Sequence, residues 1–430
     1  MSISVKLKRG LQSKNGKVLL SNFFSLSFLQ VATYIFPLIT LPYLVRVLGI
    51  DTMGLLAMAT ATIAYFQIIT DYGFDLSATK AISIHRENRE KVIEIFSSVI
   101  TIKVLLMLVS FFLLSILIFL IDEFRQNWGV YVITYGLVVG QVLFPMWFFQ
   151  GMERMKYITI LTILSKFIFT ISIFLFVKER EDYWIVPLLY SLGAIISGLI
   201  SLYIIRKDFD ITFRFQRVET IKIYLKDGWD IFVQRLYVNM YNNMANILIL
   251  GFLTNNTIVG IYSIATKIVA IIGEFFKIVS RVYYPYFSKK FSVEPRVAFD
   301  NLKKISLVIL LLSIVSMFLI FQLDETILKI IAGDNFDIRM VTILDILSII
   351  VVALPFFALF TNVLVAIDKT KELKLIARDT ALLNIIFVVP IVYFYQDIGL
   401  AYWATFLQIL IMIRYLRIIF SVDKSLKKVN

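Results

Sequence analysis

Apolar stretches long enough to cross a bilayer recur twelve times along this chain. They fall at 18–45, 53–70, 97–121, 129–149, 157–177, 184–205, 231–252, 258–282, 305–322, 341–366, 379–396 and 399–420. Each is at or near the roughly 20 apolar residues that span a hydrocarbon core. The connections between them alternate sharply in charge. Lys6, Lys8, Arg9, Lys14 and Lys17 precede the first stretch, and Lys80, Arg86, Arg89 and Lys91 follow the second. The 206–230 connection carries Arg206, Lys207, Arg214, Arg217, Lys222 and Lys226, whereas the intervening connections hold little beyond Arg46, Arg125, Lys178, Arg180, Lys329 and Arg339. Basic loops stay cytoplasmic. The expected fold is therefore an all-α polytopic membrane protein with twelve transmembrane helices and both termini cytoplasmic.

Composition removes several classes of function. At 59% hydrophobic and 17% charged, the chain is more apolar than a soluble domain and less charged. The net charge of +13 sits mostly in cytoplasmic connections, where topology and anionic headgroups explain it better than nucleic acid does. With no cysteine and one histidine, His85, in a polar loop, thiol nucleophiles and cysteine metal sites are excluded. The start is polar and basic and the first stretch is too long for a signal peptide, so that span is expected to stay in the protein. No GxxxxGK[ST] loop is present, which argues against ATP hydrolysis.

The segment 206–230 divides the chain into an N-terminal six-helix lobe at 1–205 and a C-terminal six-helix lobe with a cytoplasmic tail at 231–430. A phrase recurs after the first span of each half. Leu48-Gly49 leads to Gly54 and on to Ala59-Thr60; Leu250-Gly251 leads to Gly260 and on to Ala265-Thr266. An even number of spans per half makes the repeats parallel, pseudo-symmetric about the membrane normal, with substrate expected in a central cavity between them.

Polar side chains inside the spans point to such a cavity, because an ionisable group in lipid costs several kcal/mol unless it pairs, snorkels or faces water. Arg235, Asn239, Asn242 and Asn246 follow steps of four, three and four, one face of a helix, and Asn243 broadens the stripe. Interhelical hydrogen bonding is the plainer explanation of the asparagines; Arg235 favours a hydrated cavity. Span eight repeats the pattern with Ser263, Lys267, Glu274, Lys277 and Arg281. Lys166 falls near mid-span five, Gln30 and Tyr34 form a weaker stripe in span one, and Thr60, Gln67 and Asp71 one in span two. Pro37 and Pro42 are expected to bend span one. Lys103 and Arg414, near cytoplasmic ends, read as snorkelling residues. A surface of this kind suits an anionic headgroup such as a diphosphate, which Arg binds bidentately and Lys as a point charge.

Several phrases resemble bacterial O-antigen flippases. These are Asn22 to Gln30 followed by Pro37-Leu-Ile-Thr-Leu-Pro42-Tyr-Leu-Val-Arg46-Val-Leu-Gly49, Asp71-Tyr-Gly-Phe74 with Ser77-Ala-Thr-Lys80, and Pro145-Met-Trp147-Phe-Phe-Gln150-Gly-Met-Glu153-Arg154. In the second half they are Leu250-Gly251, Gly260-Ile-Tyr262-Ser and Tyr284-Pro285-Tyr286. Lys80 departs from the family's more usual Arg. The resemblance implies the polysaccharide branch of the superfamily that includes multidrug extruders: two six-helix lobes around a central cavity that opens alternately to either side. It implies a substrate, undecaprenyl-diphosphate-linked oligosaccharide, moved between leaflets of the bacterial inner membrane without enzymatic turnover. Coupling to a proton or sodium gradient, and cooperation with a polysaccharide polymerase and a chain-length regulator, belong to the same implication; no cofactor, metal or nucleic acid does. Two rivals compete with it. A cation-coupled drug extruder needs an intramembrane carboxylate, whereas the cavity candidates here are mainly cationic. A polymerase or glycosyltransferase needs long external catalytic loops, which the sequence lacks.

Overall fold

A computed structural model describes residues 14–367 and 369–428; the side chains of 14–34, 275, 277–286, 288–289, 292, 358 and 425–428 lie outside that description. The described residues form helices joined by short turns. They are α1 (Lys14–Asp71), α2 (Phe74–His85), α3 (Arg89–Leu120), α4 (Asp122–Gln126), α5 (Trp128–Leu143), α6 (Met146–Gly151), α7 (Met155–Phe176) and α8 (Ile185–Phe209). There follow α9 (Val218–Asn239), α10 (Asn243–Leu253), α11 (Asn256–Val293), α12 (Pro295–Ala332), α13 (Ile338–Ser348), α14 (Ile350–Ala366) and α15 (Thr370–Lys428).

Eight helices among the described residues are long and apolar enough to cross a membrane, or nine if α13 and α14, bent by 43° where they meet, count as one span. The difference from twelve separate helices has three local causes. The first two stretches run together in α1, whose only non-helical backbone is at Gly49 (φ 80°, ψ 165°). The interruption therefore falls at the glycine, where positive φ carries no Cβ penalty, while the backbone at Pro37 and Pro42 keeps helical φ and ψ. The last two stretches run together in α15 across Gln396 (φ 51°, ψ −136°). The stretch 231–252 is not one helix, because α9 stops at Asn239 and α10 starts at Asn243.

The chain separates into two compact units: Thr62–Arg235 together with the chain up to Thr40, and Leu41–Ala61 together with everything from Leu236 onward. In the first unit the core joins Phe74, Ala78 and Ile82 of α2 to Val92, Phe96 and Val99 of α3 and to Trp147, Phe148 and Phe149 of α6. Phe148 meets Phe209 edge-on at 5.2 Å, a favoured aromatic geometry. Helices α5 and α8 are pinned by serine hydroxyls: Ser191 donates to the Ile133 carbonyl at 2.7 Å and Ser201 to that of Leu143 at 3.1 Å. Small polar residues of this kind hold helices together in lipid, where burial of apolar area gives little drive.

In the second unit Phe291, Phe299, Phe356, Phe360 and Val363 form a core across α11, α12 and α14. Here the two repeated phrases meet. A Cβ on Gly54 would sit 1.8 Å from the Asn256 carbonyl oxygen and 2.9 Å from the Gly260 nitrogen, and one on Gly260 would sit 2.1 Å from the Ile50 carbonyl oxygen. Each glycine lets the other's segment approach backbone to backbone, and the matched Ala59 and Ala265 are both fully buried. Elsewhere the helices present apolar side chains outward, such as Leu108 and Phe112 on α3 and Leu311 and Phe318 on α12, as a protein solvated by lipid requires.

Candidate functional site

Polar side chains inside the spans gather in each unit separately. In the first unit the chain turns at Tyr72 and Gly73, both with positive φ (50° and 78°). The turn packs closely on α9: Tyr72 stacks on Phe232 at 4.9 Å, and a Cβ on Gly73 would lie 2.7 Å from the Ile231 side chain. This packing sets four charges side by side. Lys103 of α3 donates to Asp71 Oδ1 at 3.0 Å, Arg235 of α9 donates to Asp71 Oδ2 at 2.8 Å, and the second Arg235 amino group binds Asp75. Exposure increases along the chain of contacts, from 2% for the Lys103 side chain and 12% for Asp71 to 35% each for Arg235 and Asp75. Asp71 is thus satisfied through both oxygens, whereas Asp75 Oδ1 is buried with no hydrogen-bond partner.

One reading from the sequence changes here. Lys103 does not snorkel: it is 1% exposed and its charge is met by Asp71. Arg414 pairs with Asp379 at 2.6 Å, with its side chain 32% exposed. Arg235 is the cation expected in this part of the chain, but two carboxylates accompany it.

The second unit holds the asparagines. Between α9 and α10 the backbone at Met240–Asn242 leaves the helix, so the even stripe expected of an unbroken span is divided. Asn242 donates to Asn239 Oδ1 at 3.0 Å, and Asn243 donates to Thr266 at 3.3 Å. Asn246 is 3% exposed and accepts from Asn384 of α15 at 3.4 Å. Asn384 also donates to the Met240 carbonyl at 2.8 Å and accepts from the Trp403 indole at 2.7 Å. One fully buried side chain therefore ties the broken ends to two turns of α15. Asn384 and Trp403 were missed in the sequence, although a lone asparagine in an apolar stretch is itself a signal.

Lys267 stands apart. Residues 258–266, 268 and 269 around it are buried, yet Lys267 is exposed, on the same side as Ala270. Lys166 of α7 is half-buried in an apolar helix. Neither lysine has an ion-pair or hydrogen-bond partner among the described residues. The side chains of Gln30, Tyr34, Lys277 and Arg281 lie outside the described residues. Among the described residues no group of three or more His, Cys, Asp or Glu is placed to hold a metal ion. The described residues thus offer a cation–carboxylate cluster in the first unit, a hydrogen-bonded amide network in the second, and two lysines without an ion-pair partner.

Known proteins place these features in context. The chain is 29% identical over 386 residues to a protein of Escherichia coli (strain K12) named "Putative O-antigen transporter", covering 88% of this chain and 91% of that one. Its fold matches that of a lipid II flippase, MurJ, in an inward closed conformation, with a TM-score of 0.73 at 14% identity over 94% of this chain and 87% of the other. It also matches an inward-facing multidrug resistance transporter of the MATE family, MOP superfamily, with a TM-score of 0.65 at 13% identity over 91% and 99% of the two chains. The sequence profile of the family described as polysaccharide biosynthesis protein matches residues 19–291, well over half of the chain. This multi-span membrane protein belongs to the polysaccharide biosynthesis protein family.

Proposed function

We propose that the chain flips an undecaprenyl-diphosphate-linked oligosaccharide, an O-antigen or similar polysaccharide repeat unit, from the cytoplasmic to the periplasmic leaflet by alternating access. On this reading it crosses the inner membrane twelve times, as two six-helix lobes at 1–205 and 231–430 joined by 206–230, with both termini cytoplasmic. A proton or sodium gradient drives the cycle, and a polymerase and chain-length regulator take up the product. The lipid tail stays in the bilayer while the headgroup and sugars pass along the polar side chains. The name and coverage of the Escherichia coli relative support the substrate class.

The observation that carries the reading is Lys267: an unpaired ammonium, exposed on a helix whose surrounding residues are buried. A charge in a span pairs, snorkels or faces a hydrated cavity; we read Lys267, which has no pair among the described residues, as facing a cavity, where an anion is its natural ligand. Binding must stay moderate, because a site that holds diphosphate too tightly does not release it.

Complementation of a strain lacking one defined O-antigen flippase tests the function. Wild type restores surface polysaccharide. Lys267→Ala and Arg235→Ala, at equal protein abundance, are expected to lower display by about tenfold, the loss of one charge-assisted hydrogen bond. Full display by both variants would overturn the cationic route. Loss of the flippase should trap lipid-linked single repeats on the inner leaflet, whereas loss of a polymerase displays them outside.

A further inference from the structure

We propose that a cavity at the cytoplasmic end of the second unit binds one anionic phospholipid of the inner leaflet, with an acyl chain inside the cavity and the phosphate on the lysines at its mouth. The site lies apart from the polar side chains read as the substrate's route. It takes from the function proposed above only the topology that puts this end at the cytoplasmic leaflet.

Helices α12, α14 and α15 enclose about 300 Å³, the small end of the roughly 300–1,000 Å³ usual for ligand pockets. The floor is the core of the unit, with Phe299, Phe356, Phe360 and Ile419 each at most 5% exposed. The rim is Leu307 of α12 and Phe420 of α15, 58% and 55% exposed, so the cavity opens sideways on to the unit's apolar surface. An opening toward lipid is filled by what the bilayer supplies, and the walls are apolar apart from Lys303, Ser306 and Asp423. Between Lys303 and Leu310, both lining residues, α12 rises about 10 Å. The space therefore runs along the helices, as one linear chain in the leaflet does.

The polar end selects the headgroup. Lys303 donates to Asp423 Oδ2 at 2.9 Å across the mouth, so the carboxylate that lines the cavity is neutralised within the protein. Beside the mouth, Lys304 of α12 and Arg417 and Lys424 of α15 are exposed, with no ion pair or hydrogen bond among the described residues. Lys304 stands three residues before Leu307, while Arg417 and Lys424 stand three before and four after Phe420. Each rim residue thus shares its helix face with a cation. Asp300, exposed one turn before Lys304, is the other carboxylate nearby, so four cations face two acids. Lys303 precedes the ninth apolar stretch and Asp423 follows the twelfth, which sets these cations at headgroup level, where each attracts an anionic lipid. A zwitterionic phospholipid brings the same chain without the net charge, so the mouth distinguishes the two.

The test is native mass spectrometry of the purified full-length chain, given phosphatidylglycerol and phosphatidylethanolamine with identical acyl chains in equal amounts. Wild type should retain one phosphatidylglycerol in preference to phosphatidylethanolamine. Lys304→Gln combined with Lys424→Gln should weaken that retention by about fivefold for each cation removed. Ser306→Phe, which puts a ring into the cavity, should abolish it, and Ser306→Leu should reduce it. A thermal melt accompanies each variant, and if Ser306→Phe melts early, Ser306→Leu decides the cavity's part. Equal retention of the two lipids by wild type, or undiminished retention in the folded Ser306 variants, overturns the site and leaves the proposed transport function standing. Displacement of phosphatidylglycerol by an equal amount of undecaprenyl phosphate also overturns it, and assigns the cavity to the substrate's tail.

Discussion

Lys103 shows how much one buried charge can decide. Its ammonium lies inside a helix of apolar residues and is compensated by one carboxylate of a residue 32 positions earlier. Removing one partner of such a pair leaves the other charge stranded, at a cost of about 3–5 kcal/mol. Lys103→Ala is therefore expected to lower the melting temperature of the detergent-purified protein sharply, and Lys103→Arg less so. Asp71→Asn should strand the Lys103 ammonium in the same way, while Arg235 keeps its hold on Asp75. Equal melting temperatures for wild type and Lys103→Ala would mean that water already reaches this site. The charges were individually legible in the sequence: Asp71, Lys103 and Arg235 each interrupt an apolar run. Their pairing was not, because a lysine near a helix end looks the same whether it snorkels to the headgroups or finds a carboxylate on a distant helix. Asp75 was passed over for a similar reason, since it lies just past a span, in a segment that reads as loop.

Among the elements, the broken helix between α9 and α10 departs furthest from expectation. The four, three, four spacing of Arg235, Asn239, Asn242 and Asn246 places them on one face only if the helix continues, and no proline or glycine at 240–242 warns that it stops. What sustains the break is supplied from elsewhere in the chain: Asn384 gives the Met240 carbonyl the donor it lacks and takes the Trp403 N–H in return. Half-helices of this kind often mark binding sites in transporters. Asn384→Leu would leave the Met240 carbonyl and the Trp403 indole unsatisfied in a buried place, a cost of about 1–3 kcal/mol for each group. Hydrogen exchange at 236–246 should quicken in that variant while exchange in α5 and α8 stays unchanged. Uniform quickening across both would assign Asn384 to general stability instead. The Gly54 and Gly260 phrases were legible as a recurrence of small residues, but not their close approach to one another, which sequence spacing alone does not give.

At the scale of the whole chain, the alternation of basic and uncharged connections divides the turns into two sets, and contacts within each unit respect that division. In the second unit the turns read as external hold on to one another. Asn335 donates to the Val45 carbonyl at 3.1 Å, Thr257 to Asp51 at 3.4 Å, and Arg339 pairs with Asp397 beside the break in α15. In the first unit the basic turns do the same. Arg86 meets Glu153 at 2.8 Å, Arg89 reaches Asp210 at 2.7 Å, and Arg214 reaches Glu90 at 2.8 Å. Such sorting is what a bilayer enforces, since turns on opposite faces lie about 30 Å apart. On the proposed twelve-span reading, α1 and α15 are each two crossings joined by a tight external turn, at Gly49 and at Gln396. Reporter fusions test this directly. A fusion at Asn256 or at Gln396 is expected to report outside, and one at Arg217 inside. The Gln396 fusion is the most discriminating, because a single unbroken crossing by α15 would put no external turn there. An inside signal at Gln396 would reduce the second half to five crossings and place the C-terminus outside. The parallel duplication could not then hold, since it requires an even number of spans in each half.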